Sequence, residues 1–246
     1  MSSLRVLLIQ CRSAKSRMLR HEVACIRRRL ANQDVQLSTR QAVSEPATAA
    51  WLDGNDVVIM GGSGAFSVQD PRSQGWVDPL RHTLDRILSR NIPFFGICFG
   101  HQLLGLHLGG EVRTSEDHSE VGSIQVGLTR AGRADPVFGA LPVRFTAQTG
   151  HSDSVFGPPA ELRVLAQNHT LDTQAFHLTG RPVYTTQFHP DLTGMEARER
   201  YRSFEADIRR AGGAPKEGGS EKFSPAPDTS SQLLGRFIAH VLKGDT

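Results

Sequence analysis

Cys98 stands between Gly96 and Gly100, directly after an apolar run, in a pattern that suits nucleophilic chemistry. A strand ending at Ile97 and a helix beginning at Phe99 would place this cysteine on a sharp turn, like the serine of the G-x-S-x-G motif in other hydrolases. Free N–H groups at a helix N-terminus favour negative charge, so we predict a thiolate with a pKa below its usual value of about 8.5. A buried structural cysteine is the alternative that the motif alone leaves open.

A cysteine nucleophile requires a base, and the base requires an acceptor that orients it. The segment "YTTQFHPDL" takes a strand-like run into a turn that contains both His189 and Asp191. His189 can take a proton from Cys98 while Asp191 holds the imidazole in one orientation. A His-Pro-Asp tripeptide is also common in purely structural loops, so this pair gains weight only from its neighbours.

A glycine-rich turn, "MGGSGAFSV", follows another strand-like run. By itself it is typical of a tight turn or of a phosphate-binding loop. In a doubly wound α/β sheet, however, the turns after neighbouring strands meet at the carboxyl edge, where ligands bind. We therefore expect the N–H of Gly62 to lie beside Cys98.

The segments that must position these residues alternate between strand-like and helical patterns in the first half of the chain. The strand-like runs are "LRVLLIQ", "DVQLSTR", "DVVIMGG" and "IPFFGIC", and the helical patterns are residues 16–30, "WVDPLRHTLDRILSRN" and "FGHQLLGLHLGG". This alternation predicts an α/β fold with a mostly parallel sheet and helices on both faces.

From about Glu120 the pattern changes to short alternating runs separated by turn residues, which predicts an antiparallel meander added to the same domain. A helix at about 194–210 follows. A polar stretch at about 212–231 is predicted to be a mobile loop, and a last helix is predicted at about 232–243. The whole chain, residues 1–246, fits a single domain.

The composition argues against several classes of protein. The 246 residues are 38% hydrophobic and 22% charged, with a net charge of +3, and no segment approaches the roughly 20 apolar residues of a membrane span. We expect no membrane partner and, without a nucleic-acid-reading motif, no nucleic-acid partner. Cys11, Cys25 and Cys98 show no C-x-x-C spacing, which favours a cytoplasmic protein with no metal site and no cofactor.

Four motifs in this order, "GGSGAF", "GICFGHQLLGLHLGG", "TGHSDSV" and "TTQFHPD", give the chain a family resemblance over roughly residues 4 to 191. It resembles the class I glutamine amidotransferases, and within them the stand-alone proteins related to the glutaminase domain of GMP synthase. The resemblance implies a flavodoxin-like fold. It also implies that Cys98 attacks the side-chain amide of glutamine, that His189 transfers the proton and that Asp191 holds His189.

The resemblance extends to groups that bind the substrate. It implies an oxyanion hole formed by the backbone N–H groups of Gly62 and Phe99. The amino-acid end of glutamine would be held by Gln102 and by the stretch Gly150, His151 and Ser152. This stretch would act largely through its backbone.

Two features depart from the family pattern. The family usually has His-Pro-Glu, and Asp191 is one methylene shorter, roughly 1.5 Å of reach, which weakens the expected hold on His189. No ATP-binding motif of the SGGxDS type follows. We therefore expect the chain to release ammonia for a separate acceptor, such as a synthetase or synthase, and not to use it.

Three hypotheses follow for the function. The first, which we favour, is a glutaminase or amidotransferase that forms a γ-glutamyl thioester at Cys98 and releases ammonia. The second is a γ-glutamyl peptidase or hydrolase of the same fold, which releases a larger amine. The third is a non-catalytic regulatory protein, against which the presence of Cys98, His189 and Asp191 argues.

Overall fold

A nine-stranded sheet forms the centre of the protein, for which a computed structural model describes residues 3–210, 219–226 and 228–244. Its strands are β1 (Leu4–Gln10), β2 (Val35–Gln41), β3 (Val57–Met60), β4 (Phe94–Ile97), β6 (Glu120–Leu128), β7 (Arg144–His151), β9 (Leu162–Gln167), β10 (Ala175–Leu178) and β11 (Val183–Thr186). A separate antiparallel pair is formed by β5 (Glu111–Thr114) and β8 (Asp153–Phe156).

The strand order of the large sheet is β2-β1-β3-β4-β11-β10-β9-β6-β7. The first five of these strands are mutually parallel, and the remaining pairings are antiparallel. The mostly parallel sheet with an added antiparallel meander is thus confirmed. The meander differs from a simple one because β9 pairs with β6, and β7 lies at the edge of the sheet.

Six α-helices accompany the sheet in the described part of the chain: α1 (Met18–Arg29), α2 (Gln74–Ser89), α3 (Phe99–His107), α4 (Arg130–Ala134), α5 (Gly194–Arg210) and α6 (Leu233–Leu242). The side chains of α1 and α6 pack on one face of the sheet, and those of α2 and α3 on the other. Neighbouring strand residues alternate between these two cores, as Phe94 and Phe95 do, because successive side chains of a strand point to opposite faces.

The parallel strands determine where a site can lie. The carboxyl ends of β1, β3, β4 and β11 meet along one edge, and each is followed by a turn that carries a polar or glycine-rich sequence. In chain order these turns begin at Cys11, Gly61, Cys98 and Gln187. Strand β7 of the large sheet and strand β8 of the small pair bring the 150–153 stretch toward α3.

The polar stretch before the last helix is only partly described, since residues 211–218 and 227 lie outside the described residues. Its described part differs from the predicted mobile loop. Gly219–Lys222 form a short 3-10 helix, and Phe223 is buried against Leu192 and Ala197. The apolar side chain of Phe223 explains the difference, because it ties an otherwise polar segment to the domain. The last helix, α6, lies where it was predicted.

No helix among the described residues is long and apolar enough to cross a membrane.

Candidate active site

Cys98 lies on the turn between β4 and α3 with a backbone conformation that is rare for a residue with a side chain, at φ 50° and ψ −93°. Its N–H donates to the carbonyl oxygen of Thr186, at 2.7 Å, which fixes the turn against β11. The two flanking glycines are required by close packing. A Cβ atom on Gly96 would lie 2.8 Å from the backbone of Gly100, and one on Gly100 would lie 2.8 Å from the carbonyl oxygen of Met60.

His189 and Asp191 lie on the turn after β11 and form a buried pair. The distance from His189 Nδ1 to Asp191 Oδ1 is 3.0 Å. The imidazole also meets the turn after β3, since a Cβ atom on Gly62 would lie 2.8 Å from His189 Cε1 and 3.4 Å from Cys98 Cβ. The structure therefore brings Cys98, His189, Asp191 and Gly62 together at one edge of the sheet. Only a glycine leaves room for the cysteine and the imidazole to face each other there.

A buried cation, Arg200 of α5, completes this arrangement, and sequence analysis did not identify it. One guanidinium nitrogen lies 2.8 Å from Asp191 Oδ2 and 3.4 Å from His189 Nδ1. Asp191 thus accepts from His189 with one oxygen and from Arg200 with the other. Asp191 therefore reaches His189 although it is one methylene shorter than glutamate, and its carboxylate is held from both sides at normal hydrogen-bond distances.

The charges of this cluster determine its protonation. Burial alone raises the pKa of Asp191, but the charge of Arg200, together with His189 and the hydrogen bonds from both, outweighs burial and holds this pKa well below its usual range. Burial lowers the pKa of His189, more than Asp191 raises it. Near neutral pH, Asp191 is therefore a carboxylate and His189 is neutral. Its Nδ1–H donates to Asp191, and its Nε2 is left as a base.

The thiol of Cys98 does not behave as the sequence predicted. Burial raises its pKa to about 12, more than the charge of Arg12 and the N–H of Phe99 lower it, while Asp191 and Asp153 raise it further. The prediction of a lowered pKa was wrong because Cys98 is only 4% exposed. Loss of hydration destabilises the thiolate more than the helix N-terminus stabilises it. The free site therefore holds a thiol and a neutral imidazole.

This protonation state gives a testable pH dependence. Below a pKa of about 12 the thiolate fraction of Cys98 increases about tenfold per pH unit. We expect the rate at which iodoacetamide modifies Cys98 in the free protein to rise in that way from pH 7 to pH 9. Peptide mass spectrometry of timed samples measures this rate separately from those of Cys11 and Cys25. A rate that reaches a plateau below pH 8 would instead indicate a preformed thiolate–imidazolium pair.

Gln102, one turn into α3, is tied to its surroundings through its amide nitrogen. This nitrogen donates to the carbonyl oxygen of Asp153 at 2.8 Å and to Gln187 Oε1 at 3.2 Å. Gln187, which is completely buried, in turn directs its own amide nitrogen to Cys98 Sγ at 3.6 Å. Both N–H groups of Gln102 are used within the protein, so the group it can offer to a substrate is its carbonyl oxygen.

The 150–152 stretch lies at the end of β7, beside the residue that Gln102 contacts. His151 is buried, and its ring nitrogens face Glu120 Oε2 at 3.2 Å and the carbonyl oxygen of Asp153 at 3.1 Å. Its side chain thus fixes the stretch, while Gly150 and Ser152 are exposed. The predicted contact with the amino-acid end of glutamine stays a prediction. The geometry leaves the backbone of this stretch as the group that can make it.

Arg12, at the end of β1, is a further residue of this edge that sequence analysis did not identify. Its guanidinium is buried, and Nε lies 3.2 Å from Glu22 Oε1. Nothing in the sequence distinguishes Arg12 or Arg200 from the other arginines of the arginine-rich segments 12–29 and 198–210. The hydrophobic pattern predicts where helices lie, but it does not show which of their charged residues are turned inward.

A buried cysteine near a histidine and an acid, at the carboxyl edge of a doubly wound sheet, has the groups that cysteine-dependent acyl transfer requires. A comparison with family models identifies the protein family, since the class-I glutamine amidotransferase model matches residues 12–205. The chain belongs to this family and is a glutamine amidotransferase.

Individual proteins agree with this assignment. The chain is 31% identical over 154 residues to one subunit of the glutamine-hydrolyzing GMP synthase of Thermoplasma acidophilum, covering 62% of this chain and 72% of the relative. The corresponding GMP synthase subunit of Sulfolobus acidocaldarius is 33% identical over 155 residues, covering 63% of this chain and 77% of the relative.

Solved structures confirm the fold. A glutamine amidotransferase from Thermotoga maritima has a TM-score of 0.68 at 18% identity, covering 99% of this chain and 95% of that one. A glutamine amidotransferase from Methylobacillus flagellatus has a TM-score of 0.69 at 20% identity, covering 98% and 94%. The flavodoxin-like α/β fold expected from the motifs is thus confirmed.

Proposed function

We propose that this amidotransferase hydrolyses the side-chain amide of glutamine through a γ-glutamyl thioester on Cys98 and releases ammonia for a separate acceptor. The observation that carries this proposal is the convergence of Cys98, His189 and Gly62, with Asp191 behind the imidazole at 3.0 Å. A nucleophile, a base and an orienting acid are the three parts that acyl transfer requires.

In the acylation step, Sγ of Cys98 attacks the amide carbon while its proton passes to Nε2 of His189. Proton transfer must accompany the attack, because the free thiol has a pKa of about 12 and is not ionised beforehand. The imidazolium that forms is stabilised by Asp191, whose carboxylate is held in place by Arg200. We propose that the N–H groups of Phe99 and Gly62 stabilise the negative oxygen of the tetrahedral intermediate.

Collapse of this intermediate breaks the carbon–nitrogen bond, and His189 returns its proton to the departing amine. Water, with His189 again as base, then hydrolyses the thioester to glutamate and restores the thiol. The relatives from Thermoplasma and Sulfolobus are each named as one subunit of a synthase. By analogy we propose that a separate synthetase or synthase receives the ammonia.

The substrate's amino-acid end provides a test of specificity. If Gln102 and residues 150–152 bind the α-amino and α-carboxylate groups, kcat/KM for free glutamine should exceed that for N-acetylglutamine by about 10- to 100-fold, the effect of losing a charge-assisted contact. Ammonia release, measured with both compounds over a range of matched concentrations, gives this ratio. Equal kcat/KM values would contradict binding of the α-amino group.

The proposed activity itself is tested by incubating the purified protein with glutamine and measuring glutamate and ammonia together. We expect equal amounts of both products in the wild-type protein and neither above background in His189→Gln. Product formation that persists in this variant would contradict the role proposed for His189. A folded wild-type protein without any γ-glutamyl turnover would favour the non-catalytic hypothesis.

A further inference from the structure

Arg12 occupies an unusual position for a buried cation. It is 5% exposed, and among the described residues its one hydrogen bond joins Nε to the buried carboxylate of Glu22. The other carboxylate oxygen of Glu22 accepts from Gln10 at 3.0 Å. Glu22 therefore anchors the inner side of the guanidinium, and the two terminal nitrogens, with their four N–H groups, have no described partner. Arg12 is an oriented, charged group with free donors.

These free donors lie beside the glycine-rich turn that also borders the candidate active site. A Cβ atom on Gly64 would lie 3.5 Å from one terminal nitrogen of Arg12, so the guanidinium lies against the glycine-rich turn after β3. The same turn touches Cys98 and His189 through Gly62. After burial, the charge of Arg12 has the largest effect on the pKa of Cys98, and it lowers that pKa.

The position of Arg12 relative to Cys98 identifies the part of a substrate that it can meet. One strand, β3, separates β1 from β4, so the turns that carry the two residues are about 10 Å apart, and Arg12 lies against the turn between them. The leaving amine must depart on the side of His189, which protonates it, and the imidazole contacts the same glycine-rich turn. The amino-acid end of the substrate is expected on the opposite side, at Gln102.

This turn is open to solvent beside Arg12. Gly64 and Ala65 are exposed, and Phe204 of α5, 37% exposed, lies 4.0 Å from the position of a Cβ atom on Gly64. A planar guanidinium with free N–H groups binds a carboxylate through two parallel hydrogen bonds. In an amino acid joined through its amine to the γ-carbonyl group, the carboxylate carbon lies within about 4 Å of the scissile carbon.

We infer that Arg12 is a binding site for a carboxylate on the leaving amine, and that the substrates of this enzyme include γ-glutamyl amino acids. This inference rests on the thioester chemistry proposed above. Sγ of Cys98 forms a bond to the γ-glutamyl carbonyl carbon, the bond from this carbon to the amino acid nitrogen breaks, and His189 gives its proton to that nitrogen. Water then hydrolyses the thioester, so that γ-glutamylglycine and water yield glutamate and glycine.

The experiment compares two substrates that differ in the carboxylate, γ-glutamylglycine and γ-glutamylmethylamide, with glutamine as a third. In the wild-type protein, kcat/KM for γ-glutamylglycine should exceed that for the methylamide by about 10- to 100-fold. In Arg12→Gln this ratio should fall to about 1, even if kcat/KM for both compounds also changes by a common factor. Arg20→Gln, which changes an exposed arginine of α1, is the matched control and should keep the wild-type ratio.

Arg12→Gln leaves Glu22 buried without its cation, so the double variant Arg12→Gln, Glu22→Gln is measured as well, and it should show the same ratio of about 1. A wild-type ratio near 1, or a wild-type ratio retained in the double variant, would overturn the inference while glutamine turnover still supports the proposed function. Equal slowing of both compounds in Arg12→Gln would also overturn it, since Arg12 would then act only through its charge on Cys98. Absence of turnover with all three compounds would overturn the proposed function and this inference with it.

Discussion

Replacing Cys98 by alanine should lower kcat for glutamine by at least about 10⁴-fold, because the group that forms the covalent bond is lost. Alanine keeps the Cβ atom of Cys98, which lies beside Gly62, and removes only the sulfur, so the neighbouring residues need not move. We therefore expect the circular dichroism spectrum to be unchanged and the Tm to shift by only a few degrees. Initial rates of glutamate formation over a range of enzyme concentrations measure the loss.

Cys25→Ala is the matched control for this variant. Cys25 is also buried, but it lies on α1, where its sulfur accepts from Arg28 at 3.3 Å. Its kcat should stay within about threefold of the wild-type value, since the thiol takes no part in the proposed chemistry. A Cys98→Ala protein that keeps near-normal activity would show that Cys98 is not the nucleophile.

Asp191→Ala should give a graded loss, with kcat lowered by about 10- to 1,000-fold, well short of the loss in Cys98→Ala. The imidazole loses the acceptor that fixes its orientation, but it still reaches the thiol and can still accept the proton. Arg200 then becomes a buried cation without its partner, at a cost of about 3 to 5 kcal/mol in the free energy of unfolding. Asp191→Asn keeps the shape of the side chain and removes its charge. It therefore separates the electrostatic contribution to the loss in kcat from the packing contribution.

Each rate is referred to the folded fraction, which urea unfolding of the same samples provides. Unchanged kcat and kcat/KM in both Asp191 variants would contradict the orienting role of the acid. Another carboxylate near His189 would then have to be found.

Asp191→Glu tests whether the short acid is matched to this particular site. Asp191 is 1% exposed and lies between His189 at 3.0 Å and Arg200 at 2.8 Å, so an added methylene has no free space. Overpacking of this kind costs about 1 to 3 kcal/mol, and we expect kcat to fall by about 10- to 100-fold. A rise in kcat would show instead that aspartate is a weakened form of the family's glutamate.

The sequence predicted the framework of the site because the framework depends on short, local patterns. The apolar run before Cys98 and the glycines on either side specify a strand, a turn and a helix. The meeting of the turns at the carboxyl edge follows from the parallel α/β pattern. The contacts from this edge to α5 depend instead on how a distant helix packs, which no local pattern reveals.

The error in the predicted pKa of Cys98 has the same origin. A helix N-terminus can be read from the sequence, but the 4% exposure of the residue results from the packing of the neighbouring turns, which bring Gln187 and Gly62 against it. Burial and the helix N-terminus act in opposite directions on the pKa, and only the three-dimensional structure shows which is larger. The roles of Arg12 and Arg200 remained hidden for the same reason.

The most direct test of the proposed thioester chemistry uses a chloroketone analogue of glutamine, in which a chloromethyl group replaces the amide nitrogen. Such a compound binds as glutamine does and alkylates the group that attacks the side-chain carbonyl carbon. We expect that one equivalent inactivates the protein, that excess glutamine slows inactivation, and that peptide mass spectrometry finds the label on Cys98. A label on Cys11 or Cys25, or full activity in protein whose Cys98 is completely labelled, would contradict the proposed chemistry.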